Sequence, residues 1–437
     1  MAGAAPLFGQ ERGDRPASDD AITVLNPRAR VPVSIIIDDS TCLVNLNKFA
    51  IPQFARARPG SYEHYPWRNW PDEIPDDFVR KFADWAGENG VKGKYSVVPF
   101  PACVGRLDRE IPGWTQAELQ ASITLVRDRI LPQWDIHPEM VTHTRIIDTK
   151  TGHPRPEFGP EFMENWKWCG GRSVDEIADY MAYGLTILKN IGLPCEGVTT
   201  PGGFGSDARP QLARATFEAC RSVFGAEIPH YFRDLHSSGE ESVVPLVQNA
   251  SGLEGDDPRC VVHIIGCTGD WTGGWDCTPP RGADAFITED GQRGRLVEVI
   301  DRGEPAVMVC HWTGIYSNGL EIGLDVFREV VKRLHARYDH LHWMKLTEIS
   351  RYWAARELTS RRWDAQARVA ELRAPFACGE FTLRLPAAAA GVQANGKPLE
   401  KTGTRLQLRP GTWVPEDGAT LACFALEKGS NRLEIEG

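Results

Sequence analysis

The sequence predicts an α/β fold, a distorted (β/α)7-type barrel followed by a small all-β module. Apolar runs of strand length alternate about seven times with amphipathic helical segments, which implies parallel strands joined by helical crossovers. No G-x-G-x-x-G follows a strand, and the length fits a barrel better than two doubly wound halves. Near residue 375 this alternation gives way to short strands separated by Asn-Gly and Gly-Ser turns.

The chain has 437 residues, which is too many for one ordinary hydrophobic core. Residues 1–30 show no hydrophobic periodicity and are expected to form an N-terminal arm. Residues 31–360 are expected to form the barrel, and residues 375–437 a β-sandwich-like module that covers it.

Strands and helices can be placed from the hydrophobic pattern. The expected strands are 31–37, 93–100, 138–144, 195–200, 229–232, 260–266, 305–311 and 340–345. The expected helices span 75–90 and 208–224, follow the capping boxes "TQAE" at 115 and "SVDE" at 173, and begin after Gly319 and at Thr347. The segment after Asp39 shows no clear helical stripe, so helix capping does not explain the two acids that precede it.

Composition restricts the classes of partner. With 42% hydrophobic and 25% charged residues and a net charge of −10, the chain is typical of a globular protein, and neither nucleic acid nor an anionic membrane is the expected partner. No apolar run approaches the ~20 residues of a membrane helix. The sequence as written predicts a cytoplasmic protein, and a signal peptide removed earlier would make it periplasmic or secreted. The 11 cysteines form no C-x-x-C pair and are expected to be free thiols.

Polar side chains follow five of the predicted strands. In a parallel α/β barrel the carboxyl ends of the strands share one face, so these side chains can converge there. Taken singly, each could be a loop anchor or a hydrogen-bonded core residue, but burying all of them without a function would cost free energy. They are Asp38 and Asp39, His143, the turn "TTPGGFG" with Pro201, Gly202 and Gly203, Asp270 with Trp271, and His311 with Trp312.

A divalent metal would account for the adjacent Asp38 and Asp39. A cation bound by Asp39 would offset the repulsion between the two carboxylates. Carboxylate and imidazole ligands suit Zn²⁺ or a similar ion. Asp38 would then act as the general base and His311 as the general acid in a hydrolysis.

These motifs, in this order, resemble those of the polysaccharide deacetylase superfamily of carbohydrate esterases over roughly residues 31–350. The resemblance implies a distorted seven-stranded barrel that hydrolyses acetyl groups on sugars with a metal held by Asp, His and His. It assigns the base to Asp38, metal ligands to Asp39 and His143, and the acid to His311. It makes the turn at 199–205 a lining of the pocket and matches Asp270-Trp271 to the fourth motif. Asp270 is therefore a third candidate catalytic residue, and Pro201, Gly202, Gly203, Trp271 and Trp312 are candidates for substrate binding.

Two positions depart from the family pattern. The second metal histidine should follow His143 by four residues, and Ile147 occupies that position, so Asp148 or His153 is expected to substitute. Thr199 stands where the third motif usually has an arginine that orients the catalytic aspartate. The segment 62–71, "YEHYPWRNWP", adds Trp67 and Trp70 as candidates for stacking against sugar rings.

Three functions remain open from the sequence. The first is metal-dependent removal of an acyl group from an amino sugar or glycan. The second is glycoside hydrolysis by Asp38 or Asp39 with Asp270, and the third is glycan binding by a barrel whose metal site has decayed. The expected partner is an oligo- or polysaccharide. The sequence leaves the sugar, the bond and the oligomeric state open.

Overall fold

A computed structural model describes residues 11–437. Up to residue 200 its strands are β1 Thr23–Val24, β2 Val31–Asp38, β3 Gly93–Ser96, β4 Trp134–His137, β5 Ile147–Asp148, β6 His153–Pro154 and β7 Gly197–Thr199. From there to residue 345 they are β8 His230–Leu235, β9 Leu246–Ser251, β10 Arg259–Gly266, β11 Ala306–His311 and β12 Leu341–Trp343.

The helices surround these strands. They are α1 Leu46–Ala57, α2 Asp76–Glu88, α3 Gln116–Leu125, α4 Val174–Asn190, α5 Arg209–Phe224, α6 Arg295–Asp301, α7 Trp312–Tyr316, α8 Ile322–Arg337 and α9 Leu346–Leu358. Both predicted capping boxes are confirmed, with Thr115 capping α3 and Ser173 capping α4. Among residues 11–437, no helix is both long and apolar enough to span a membrane.

The predicted mixture of helices and parallel strands is confirmed. One sheet has the order β11-β2-β3-β4, with β12 also paired to β2, and all of these pairings are parallel. The other has the order β7-β8-β10-β9, in which only β9 is antiparallel. Backbone hydrogen bonds connect the two sheets, from Thr199 N to Pro138 O at 3.0 Å and from Cys267 N to Val307 O at 2.7 Å.

The central strand β2 places the first two acids. All eight of its residues are buried, and β11 and β3 pair with it. Asp38 ends the strand directly beside His311 of β11. Asp39 follows in the left-handed region, with φ of 60°. The regular strand therefore ends between the two acids, at the carboxyl end of β2.

Two segments differ from the expected structure. The third strand is β4 at 134–137 instead of 138–144, because the chain leaves the sheet at Pro138 and Met140 and His143 adopt positive φ. The segment after Asp39 does form a helix, α1, whose buried positions include Leu46, Ala50 and Phe54 at a four-residue spacing. Its N-cap residue is Asn45, so neither Asp38 nor Asp39 caps it.

The C-terminal region consists of β-strands, as the sequence predicts. They are β13 Ser360–Asp364, β14 Val369–Ala374, β15 Cys378–Leu385, β16 Gly391–Ala394, β17 Lys397–Pro398, β18 Glu400–Lys401, β19 Thr412–Glu416, β20 Ala419–Leu426 and β21 Gly429–Glu436. They form the sheets β1-β15-β20-β19-β18 and β13-β14-β21-β16-β17. Between β18 and β19 the chain forms the 3-10 turn Arg405–Gln407.

The expected N-terminal arm is described only from residue 11, so its first ten residues lie outside the described part of the chain. The described portion of the arm contacts both the α/β region and the C-terminal strands. Asp14 donates a backbone hydrogen bond to Ala250, and β1 pairs with β15. All 11 cysteines are free, and nine of them are buried.

Candidate active site

A cavity of 370 Å³ opens at the carboxyl ends of the parallel strands. Five of the polar residues singled out by sequence or by geometry line it together: Asp38, Asp39, Glu139, His143 and His311. Four of these were predicted from the sequence, and Glu139 was not. Asp38, Asp39, His143 and His311, four of the side chains that were expected to converge, therefore share one cavity.

The carboxylate of Asp38 is paired with a lysine. Lys94, on the neighbouring strand β3, is fully buried, and its ammonium donates to Asp38 Oδ1, to Ser96 Oγ at 2.8 Å and to Ile37 O at 3.2 Å. Burial raises the pKa of Asp38 to about 6, and the charge of Lys94 limits that rise. Lys94 is thus a cationic partner for Asp38, whereas the family pattern has an arginine at the position of Thr199.

Replacing Lys94 with methionine should raise the pKa of Asp38 further, by about one to three pH units, because the neighbouring positive charge is removed. Activity at pH 7 should fall and recover partly at higher pH, where Asp38 ionises again. A pH profile of kcat/KM measures this shift, and an unmoved acidic limb would contradict the assignment. The exposed Lys81, which contacts Glu321, supplies the control Lys81→Met.

Asp39, Glu139 and His143 form the group that could hold a metal ion. One ligand atom from each lies within 4.8 Å of the others, and all three side chains are buried. His143 Nε2 is 2.7 Å from Asp39 Oδ1 and 3.4 Å from Glu139 Oε1. The backbone N–H of Asp39 donates to Glu139 Oε2 at 2.8 Å.

This group fits a divalent cation. Neither carboxylate oxygen of Asp39 accepts an aligned hydrogen bond, although both atoms are buried. Buried carboxylate oxygens without partners are costly, and a cation would satisfy them. Without a cation, burial disfavours charge on His143, but Asp39 and Glu139 outweigh this and raise its pKa well above the ordinary value. The site therefore already attracts positive charge, and two carboxylates with one imidazole match a 2+ ion.

The position of Glu139 corrects the expected third ligand. Glu139 precedes His143 by four residues, the spacing that the family pattern requires between its two metal histidines. Asp148 and His153 instead pair across the β5–β6 hairpin, where Asp148 lies 3.8 Å from Arg155 and His153 is exposed. Neither belongs to the group of potential ligands found among residues 11–437. The expected strand at 138–144 placed Glu139 inside a strand, whereas in the structure Glu139 lies just after β4, at the carboxyl end of the sheet.

A buried carboxylate holds the loop that carries His143. Glu164 accepts backbone hydrogen bonds from Thr142 at 3.0 Å and from His143 at 2.6 Å, and the hydroxyl of Tyr180 donates to it. Asn165 adds a hydrogen bond to the carbonyl oxygen of His143 at 2.8 Å. Together these bonds stabilise the positive φ of 63° at His143 and fix its ring toward the two acids.

His311 is held from the opposite side by Asp270. Its Nδ1 lies 3.0 Å from Asp270 Oδ2, which also accepts the backbone N–H of Trp275 at 2.8 Å. Burial lowers the pKa of His311, but Asp270, Asp39 and Asp38 outweigh it and raise the pKa to about 10. His311 is therefore protonated at neutral pH. Asp270 is not among the cavity-lining residues and contacts the cavity only through His311.

Aromatic side chains form one wall of the cavity. The ring centroid of Tyr62 lies 6.0 Å from that of Trp166 and 6.1 Å from that of Trp275. All three rings pack against Phe54 of α1. Gly202 and Gly203 of the predicted turn also line the cavity, and Gly203 N donates to Asn165 O at 2.6 Å. At Gly202 a Cβ atom would lie 2.8 Å from that same oxygen, so the turn needs a residue without a side chain.

The other residues expected to bind substrate do not line the cavity. Pro201 is buried beneath the turn. Trp70 and Trp312 are buried, and Trp312 packs on Phe78 with centroids 4.9 Å apart. Trp67 stacks with the guanidinium of Arg68, and Trp271 packs on Phe286. Trp166 and Trp275, from loops without a strong sequence signal, line the cavity instead, and the guanidinium of Arg58 lies 3.9 Å from the ring centroid of Trp166.

No protein-family model matches the chain, and no curated protein matches it in sequence. Among solved structures it is similar to a probable polysaccharide deacetylase from Pseudomonas aeruginosa PAO1, with 10% identity, 63% of this chain and 72% of that chain covered, and a TM-score of 0.37. It is similar to Puue allantoinase, with 10% identity, coverage of 81% and 98%, and a TM-score of 0.39.

A third similar structure is Agd3, described as a novel carbohydrate deacetylase. Identity is 11%, coverage is 93% of this chain and 65% of that chain, and the TM-score is 0.41. At such low identity and TM-score these three structures identify no activity, which has to be argued from the residues of the cavity.

Proposed function

We propose that this protein is a metal-dependent hydrolase that removes an acyl group from an amino sugar or glycan. The observation that carries the proposal is that a base, an acid and a group of potential metal ligands line one cavity: Asp38, His311, and Asp39 with Glu139 and His143. A metal-activated water, a general base and a general acid together can hydrolyse an amide or an ester at neutral pH.

The metal would be held by Asp39, Glu139 and His143. When bound, a divalent ion would polarise the acyl carbonyl group and make water more acidic. Zn²⁺ accepts this mixture of oxygen and nitrogen ligands, and the second carboxylate makes Mn²⁺ or another harder ion a competitor. Protonation of His143 competes with metal binding, so affinity should fall at low pH.

Asp38 is proposed to take the proton of the attacking water. Its pKa of about 6 leaves it ionised above pH 7 while keeping it basic enough for proton transfer. Lys94 orients it by contacting Oδ1. His311, next to Asp38 in the sheet, carries a proton at neutral pH and is proposed to donate it to the leaving amine or alkoxide.

Asp270 is proposed to position His311 and keep it protonated. In Asp270→Asn the pKa of His311 should fall, because the largest charge that raises it is removed. The alkaline limb of kcat/KM should move to lower pH, and amide hydrolysis at pH 8 should slow by about 100-fold. An aryl acetate, whose leaving group needs little protonation, should lose much less.

Parallel pH profiles on the two substrates test that role. Asp84→Asn, on the exposed part of α2, is the matched control because its carboxylate is about half exposed and lies far from the cavity lining. An equal loss on both substrates would mean that Asp270 only supports the fold.

A glycan is the proposed substrate because the cavity combines aromatic faces with polar groups. Tyr62, Trp166 and Trp275 offer flat apolar surfaces, and such faces suit the C–H faces of sugar rings. The two parallel sheets, joined at Thr199 and Cys267, are proposed to be the two parts of one distorted barrel. The C-terminal strands are proposed to form a separate module that covers it.

The two alternative functions that the sequence left open are less well supported than metal-dependent hydrolysis. The glycosidase alternative paired Asp38 or Asp39 with Asp270, but Asp270 does not line the cavity and is engaged by His311 and Trp275. A decayed site was suggested by Ile147 and Thr199, but Glu139 keeps the four-residue spacing and Lys94 pairs with Asp38.

The proposal is tested by following two products from acetylated oligosaccharides. Acetate should be released with no new reducing ends, and chelator should stop the release until a divalent ion is restored. New reducing ends without acetate would identify a glycosidase. Acetate release unchanged after complete removal of metal would refute the metal-dependent mechanism.

A further inference from the structure

One arginine, Arg233, lines the same cavity as the acids. Arg233 lies near the carboxyl end of β8, between two other lining residues, Phe232 and Leu235. It is partly buried, and its side chain donates a hydrogen bond to Ser206, in the loop that follows the Pro-Gly-Gly turn. Arg233 therefore reaches the cavity from the strand next to β7.

The charge of Arg233 is not neutralised by the protein. Among residues 11–437 it makes no salt bridge, and its buried Nε has no hydrogen-bond partner. Burial lowers the pKa of Arg233, and the nearby Asp234 offsets this only in part. Partly buried guanidinium groups are normally paired with a carboxylate, because desolvating an unpaired charge costs free energy.

The carboxylate next to it is already used. Asp234 forms a bidentate pair with Arg209, with Nη2 to Oδ1 at 2.9 Å, and its Oδ2 is 3.4 Å from His263 Nε2. The chain thus pairs Arg209 completely and leaves Arg233 at the cavity surface with only a neutral hydroxyl partner. An anion in the cavity would complete the coordination of Arg233.

We infer that the substrate carries an anionic group, which Arg233 binds through its planar guanidinium fork. This inference rests on the proposed function, because it adds a charged group to the acylated glycan expected in the same cavity. A carboxylate, as in a uronic acid, and a sulfate or phosphate ester share the required chemistry. Arg233 is then a specificity residue and takes no part in proton transfer.

The position of Arg233 also agrees with the distribution of charge in the cavity. Asp38 ends β2, Asp39 follows it and Glu139 lies in the loop after β4, whereas Arg233 belongs to β8 of the other sheet. Arg233 and the acids therefore come from different sheets, so an anionic substituent and an acyl group of one sugar chain have separate groups to bind.

The test compares three N-acetylated oligosaccharides of equal length: uncharged, carrying a uronic acid, or carrying a sulfate ester. The intact protein and the variants Arg233→Gln and Arg233→Lys are assayed for acetate release and, by calorimetry, for binding. Arg80→Gln, an exposed arginine on α2, is the control. Thermal melting of each variant shows whether the contact with Ser206 only stabilises the turn.

Arg233→Gln should weaken binding of one anionic oligosaccharide by about 10- to 100-fold and raise its KM similarly, with kcat and the neutral substrate unchanged. Arg233→Lys should retain part of the affinity. Which anionic substrate responds identifies a carboxylate or an ester. Equal loss on charged and neutral substrates, or no loss on any, would overturn the inference. Anion binding that depends on Arg233, without acetate release, would support it while refuting the proposed hydrolase.

Discussion

Asp38→Asn should lower kcat by about 100- to 10,000-fold while the metal content stays unchanged. General bases contribute to rate by this amount, and asparagine cannot accept the proton of water. Asp38 is not one of the grouped potential ligands, so its loss should not release the ion. The expected result is a folded, metal-loaded and inactive protein.

The measurement pairs acetate release with elemental analysis of the dialysed protein. Because Asp38→Asn leaves the buried Lys94 without its carboxylate, the double variant with Lys94→Met is needed as well. If the single variant melts early, the double variant should regain stability and stay inactive. Retention of more than half of the activity in either variant would show that another group acts as the base.

Glu139→Gln should lower metal affinity by at least about tenfold. Loss of an outer-shell partner already weakens metal binding by about 10- to 100-fold, so loss of a ligand should cost at least as much. Glutamine keeps the size of the side chain but removes the charge that helps to balance the ion. Metal retained after dialysis and the affinity measured by competition with a chelator both report this loss without any activity assay.

Asp148→Asn is the matched control for that experiment. Asp148 follows His143 at nearly the expected spacing but lies on the β5–β6 hairpin beside Arg155, so its loss should leave the metal content unchanged. Glu139→His would restore two imidazoles and one carboxylate, and should shift preference from Mn²⁺ toward Zn²⁺. Loss of metal in Asp148→Asn, with none in Glu139→Gln, would reverse the assignment of the third ligand.

Local patterns predicted the elements that depend on neighbours along the chain. The buried run before Asp38 and the capping boxes at Thr115 and Ser173 predicted their elements correctly, because apolar periodicity and capping involve residues within a few positions. The strand before Glu139 was misplaced, because its segment "WDIH" has only four residues and two of them are polar. A lysine within the predicted strand at 93–100 was the available signal for Lys94, since lysine is rarely fully buried without a partner.

The sequence by itself determined the mixed α/β class, the β-rich C-terminus, and the residues Asp38, Asp39, His143 and His311 at the cavity. Only the tertiary structure decided that Glu139 completes the ligand group, that Lys94 partners Asp38, and that Arg233 faces the cavity unpaired. The physical reason is that a local apolar pattern shows where a strand ends and so which polar residues lie at that end. The charge balance of a buried group depends instead on side chains from other strands. These side chains come close to one another only when the parallel strands pack side by side.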